Sequence, residues 1–80
     1  MFELYPYDSH KSFYGKAKVF EGGNGEKTLY SYGTAILRLN ADGSIKRLWY
    51  GWSATTGRHI AAFCAHYGIN GGNKKWFMSL

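Results

Sequence analysis

The sequence predicts an α+β fold: a four-stranded antiparallel sheet with one main helix packed on one face, in the order ββββα, and a short C-terminal helical turn. Three observations predict it. Apolar and polar residues alternate with a period of two over 12–20 and 34–39. Glycine- and asparagine-rich stretches separate the strand-like runs, and apolar side chains recur at helical spacing between 56 and 67.

The lead-in, 1–11, shows no period, and Pro6 followed by Tyr7 and Asp8 reads as irregular or extended chain. Over 12–20, Phe13, Ala17 and Val19 share one face and Tyr14, Lys16 and Lys18 the other, which reads as the first strand. Residues 21–26, with three glycines and Asn24, tolerate positive φ and form a loop; a second strand over 27–32 closes the hairpin. In the third strand, 34–39, alternation puts Ala35, Leu37 and Leu39 on one side and Thr34, Ile36 and Arg38 on the other. Asn40, Ala41, Asp42 and Gly43 make a tight turn into a fourth strand, 44–50. Its register stays open, because either Ile45 and Trp49 or Leu48 and Tyr50 can point inward. Ser53 is a good N-cap, since its hydroxyl accepts from a free first-turn amide. The helix it opens carries Thr56, Ile60, Phe63 and Tyr67 on one stripe and Arg58, Ala62 and Ala65 on the opposite one, and Gly68 is placed to end it in a left-handed conformation. After 70–72, Asn73 is positioned to cap a last short turn bearing Lys74, Lys75, Trp76, Phe77 and Leu80.

The chain has 80 residues, enough for one hydrophobic core and too few for two, so 1–80 is read as a single domain. Hydrophobic residues make up 45% and aromatics 19%, which argues against disorder and makes large rings a main source of buried area. Apolar stretches such as 60–65 fall well short of a membrane span, and the N-terminus lacks the basic start and apolar run of a secretory signal. Cys64 is alone and has no internal disulfide partner. A reducing, cytoplasmic location without membrane contact follows as the expectation. Net charge is +5 and uneven: residues 1–42 hold five basic and five acidic residues, 43–80 five basic and none acidic. A positive second half favours an anionic partner such as DNA or RNA and also aids solubility.

Three segments, YDSHKSFYGKA near the start, LYSYGT in the middle and RLWYGWSATTGRHI before and into the helix, together with KKW near the end, resemble a family of short uncharacterised proteins of bacteriophages and mobile elements of gut Firmicutes. The resemblance covers most of the chain. It implies an accessory protein of phage or plasmid origin, a class that includes inhibitors of host defence and small DNA-associated proteins, and it carries over no catalytic residue. This chain departs from the pattern at Tyr50, where relatives often carry an acidic residue, and at Gly57, where they carry a larger side chain.

Two groups of residues are candidate sites. At the strand-to-helix junction, Lys46, Arg47, Ser53, Thr55, Thr56 and Arg58 combine cations and hydroxyls beside the free amides of a helix start, a pattern suited to an anion or a partner, although Ser53 and Thr56 also suffice as plain caps. On the outward side of the first hairpin, Tyr14, Lys16, Lys18, Tyr30, Tyr32 and Arg38 mix cations with stacking rings as single-stranded nucleic-acid surfaces do, although any half-exposed sheet needs a polar side. Trp49, Trp52, Trp76 and Phe77 serve either as a recognition patch or as core.

Enzymatic patterns are weaker. His59 and His66 fall about 20° apart on the helical wheel, with Cys64 about 140° or more from both, so the three do not converge on one ion. His59 reads as a residue at the edge of the core. Glu3, Glu21, Glu26 and Asp42 are scattered, and the glycine loop 22–25 sits between strands without a phosphate-loop context. The sequence therefore reads as a non-enzymatic binding protein, with no cofactor and no metal, whose partner is a host protein or protein–nucleic acid complex of the CRISPR type. A small basic DNA- or RNA-binding protein is the alternative. Oligomeric state is not legible.

Overall fold

The computed structural model describes residues 1–5, 13 and 15–80. Among them are five strands and two helices, in the order β1 (Phe2–Glu3), β2 (Ala17–Glu21), β3 (Lys27–Ser31), β4 (Thr34–Leu39), β5 (Ile45–Arg47), α1 (Ala54–Tyr67) and α2 (Lys74–Met78). The strands form one antiparallel sheet in sequence order.

The α+β class, the antiparallel sheet, the main helix and the short C-terminal helix all agree with the expectation, but the sheet has five strands rather than four. The extra one, β1, lies where irregular chain is expected. Phe2 stands opposite Val19 and Glu3 opposite Lys18, the Leu4 amide donates to the Ala17 carbonyl at 2.8 Å, and the Phe2 ring rests 5.4 Å from His66 of α1. Packing against the helix holds this strand, and two residues are too few to display a period.

The first long strand begins at Ala17. Gly15 has φ +74° and the Lys16 amide donates back to the Phe13 carbonyl at 2.9 Å, so the chain turns before it extends. Ser12 and Tyr14 lie outside the described residues. Strand β3 stops one residue short of Tyr32, because Tyr32 and Gly33, with φ of 52° and 81°, form the tight turn into β4 between the paired Ser31 and Thr34. Such a turn matches the right-handed twist of its strands.

A bulge then changes the faces of β4. Leu29 stands opposite Leu37 and Tyr30 opposite Ala35, leaving Ile36 as the extra residue. Ile36 is buried next to Leu37 instead of sharing an outer face with Arg38, and Ala35 joins the Tyr30 side. The Ile36 carbonyl accepts from both the Leu48 and Trp49 amides, at 2.8 and 3.1 Å. That pulls the chain off the sheet after Arg47 and cuts the expected strand 44–50 to three residues. The open register resolves with Ile45 and Trp49 packed on the core and Tyr50 exposed.

Helix α1 starts and ends where its signals lie. Ser53 Oγ accepts from the Thr56 amide at 3.1 Å, and Gly68, at φ 67°, returns its amide to the last carbonyls. Ile60 and Phe63 are buried in one cluster with Val19, Leu29 and Leu37, Thr56 is buried beside Ser31, and Tyr67 is half-buried. Ala62, expected on the outer stripe, is buried too, because Phe2 and Leu4 reach round that flank. Replacing Ser53 with alanine is expected to lower stability by about 1 kcal/mol and the thermal midpoint by about 4–8 °C, readable by circular dichroism; an unchanged midpoint would show that the cap contributes nothing.

Asn73 Oδ1 accepts from the Trp76 amide at 2.8 Å and opens α2. Phe77 is buried and Trp76 half-buried, while Leu80 is exposed. Among the described residues, both helices therefore lie on one side of the sheet and its other face carries no helix.

Candidate nucleic-acid interface

Alternation along the strands decides which side chains reach the face away from the helices. Two cross-strand rows do. One runs Glu3, Lys18, Tyr30, Ala35; the other runs Phe20, Thr28, Arg38, Lys46. Lys18, Phe20 and Lys46 are exposed, Tyr30 and Arg38 half-buried. Phe20, 43% exposed, and Tyr30 are diagonal neighbours on adjacent strands, a spacing of about 7–8 Å between backbones. Cations flank both rings. Arg38 is held in place by Asn40, whose Oδ1 accepts from its Nε at 2.9 Å, and by Glu26 at 3.9 Å, a contact too exposed to neutralise it fully.

Four of the six hairpin candidates come together at one corner of this face. Lys16, Lys18, Tyr30 and Tyr32, together with Met1, Gly15 and Gly33, line an open recess of about 430 Å³. Lys16 Nζ lies 5.4 Å from the centre of the Tyr32 ring. Arg38 belongs to the neighbouring row, and Tyr14 lies outside the described residues. Phe20 and Lys46 are additions to the expected set. The signal for Phe20 is present in the sequence, since it continues the alternation of Lys16 and Lys18.

The junction candidates do not form one constellation. Lys46 points to the sheet face just described. Arg47, its neighbour on an extended strand, points the opposite way: Nε donates to the Trp49 carbonyl at 3.0 Å, Nη1 to the Met78 carbonyl at 3.3 Å, and the guanidinium covers the Tyr50 and Phe77 rings at 4.7 and 4.9 Å. Its donors fasten α2 to the sheet. Ser53 caps α1 and Thr55 is exposed. Thr56 faces inward, its Oγ1 3.1 Å from Ser31 Oγ. Arg58 is exposed, 5.6 Å over the Phe13 ring. Gly57 is where the Trp52 ring packs, since a Cβ there would meet that ring at 2.5 Å. The tryptophans of the proposed patch, Trp49, Trp52 and Trp76, are half-buried against the core.

Beneath the corner recess lies a buried polar cluster. Ser31 Oγ is 2.8 Å from His59 Nδ1, and the His59 ring is packed between Phe13 at 4.4 Å and Tyr32 at 5.8 Å. His59 is thus fully inside rather than at the edge of the core. Burial, then the charges of Arg58 and Lys16, push its pKa down to about 4, so the imidazole is neutral at pH 7. Burial also pushes the Cys64 thiol up to about 11, which keeps it in the weakly nucleophilic thiol form. His66 stands apart on Phe2 and Tyr67. Among the described residues no three His, Cys, Asp or Glu side chains are grouped to hold a metal ion, and no helix is long and apolar enough to cross a membrane.

No curated protein and no solved structure matches the chain. A family model matches residues 2–79, nearly the whole length, and the chain belongs to that family of unknown function, DUF8033.

Proposed function

We propose that the protein is a non-enzymatic accessory protein of phage or mobile-element origin, working in the bacterial host cytosol, whose sheet face opposite the two helices binds single-stranded nucleic acid. The observation that carries this reading is the Phe20–Tyr30 pair on adjacent strands, set among Lys18, Arg38 and Lys46, with Lys16 and Tyr32 at the corner. Bases present flat faces of any sequence and phosphates present charge at regular intervals, so alternating rings and cations hold a strand without reading it. A net charge of +5 adds long-range attraction.

A fluorescence titration with random single- and double-stranded oligonucleotides at two salt concentrations tests it. Single strands are expected to bind, with affinity falling steeply as salt rises. Phe20→Ala and Tyr30→Ala are each expected to weaken binding by about 1–3 kcal/mol, and Lys18→Ala or Lys46→Ala to reduce the salt slope by about 1. No binding at low salt would remove the reading.

One observation favours a second reading, a host protein complex such as a CRISPR-type defence assembly as the partner. Tyr50, Met78 and Leu80 are exposed, and Arg47 ties the first two to one end of the molecule. An apolar, aromatic patch of this kind suits a protein surface. Binding to a purified defence complex that is abolished by Tyr50→Ala and indifferent to Phe20→Ala would select it.

A further inference from the structure

We propose that the corner recess is a subsite for one nucleotide, with its phosphate on Lys16 and Lys18 and its base against Tyr32 and Tyr30; this rests on the nucleic-acid reading above and deepens it. The recess has the size of a small-ligand site: about 430 Å³, within the usual range of about 300–1,000 Å³. Its walls supply the two chemistries that a nucleotide joins. Two phenol rings offer faces for stacking, and two ammonium groups stand beside them. Gly33 leaves the mouth clear, since a Cβ added there would meet nothing within 4 Å.

The second observation is the backbone of Tyr32. It is the one non-glycine among the described residues with positive φ, at 52°. Glycine and asparagine adopt that conformation at little cost, whereas a bulky aromatic is strained in it. Burial repays little of the strain, because the residue is 55% exposed. The strained position is nonetheless firmly set. The Tyr32 amide donates to the Lys16 carbonyl at 2.8 Å, its ring leans on the buried His59 ring, and the turn holds it between two paired strands. A half-exposed ring carried on a strained backbone and held beside cations is suited to contact something from outside.

The test is an NMR titration of the intact chain with uridine 5′-monophosphate, uridine and inorganic phosphate, alongside a short oligonucleotide. The nucleotide is expected to bind at least tenfold more tightly than either half, with shifts centred on Tyr32 and Lys16. Tyr32→Asn is expected to weaken nucleotide binding at least tenfold while leaving the melting temperature unchanged or higher, and Tyr32→Gly to repeat the result. Wild-type nucleotide affinity in Tyr32→Asn, phosphate binding as tightly as the nucleotide, or a lower melting temperature in both variants would overturn the subsite. If the oligonucleotide still binds through Phe20 and Tyr30 in those cases, the sheet-face reading stands without it. If neither nucleotide nor oligonucleotide binds the wild-type chain, both fall.

Discussion

Truncating Phe77 to alanine is expected to lower the free energy of unfolding by about 3–5 kcal/mol. Helix α2 has five residues, far below the length at which a helix is stable alone, so its place depends on what it buries. Phe77 is its one fully buried side chain. The ring lies 5.9 Å from Trp52 and under the Arg47 guanidinium, so it links the C-terminal helix to the junction before α1 and to the sheet edge. Removing it leaves a cavity among these groups and frees Arg47 from the contact that aligns it with the Met78 carbonyl. Domains of this size are stable by about 5–15 kcal/mol in total, so the loss is a large fraction. Urea denaturation measures it. Lys75→Ala, at an exposed position on the same helix, is the control, with an expected change within about 0.5 kcal/mol. A Phe77→Ala loss below about 1 kcal/mol would show that α2 is peripheral to the fold.

Acidification from pH 7 to pH 4 is expected to remove about 3 kcal/mol of stability through His59 alone. The folded protein holds this imidazole neutral, with a pKa near 4 against an ordinary value of 6.5, and each unit of difference corresponds to about 1.4 kcal/mol. The unfolded chain takes up a proton below about pH 6.5 and the folded one does not, so the favoured fold loses ground through that window and the loss levels off below about pH 4. Burial is the main cause; Arg58 and Lys16 add repulsion to any charge placed there. Carboxylates titrate over part of the same range, and subtracting the curve of His59→Gln separates them: the variant is expected to be weaker at pH 7 and flatter towards pH 4. An imidazole seen by NMR to titrate near 6.5 would refute this account.

Elements with local signals are legible in the sequence. Helix α1 announces itself through Ser53, the Thr56–Ile60–Phe63–Tyr67 stripe and Gly68, all of which act within a few residues of one another. The 22–25 and 40–43 turns follow from glycine and asparagine chemistry in the same way. What escaped depends on distant partners. Strand β1 exists because Phe2 meets His66; Ile36 is buried because of a bulge opposite Leu29 and Tyr30; the Ser31–His59 contact spans 28 residues. The junction site dissolves for a simpler reason. Lys46 and Arg47 are adjacent in an extended strand, and adjacent side chains there point to opposite faces. The same rule, carried one step past Lys18, leads to Phe20.

The doubled hydrogen bond at the Ile36 carbonyl also bears on how copies of the molecule avoid one another. It strips the chain away after Arg47, so among the described residues one outer border of the sheet is three residues long with a lysine at its centre, and the other border, β1, is two. Neither stub offers an incoming polypeptide a long ladder of unpaired amides to zip onto. Short borders of this kind disfavour edge-to-edge pairing between copies even where a ring-bearing surface is open to solvent.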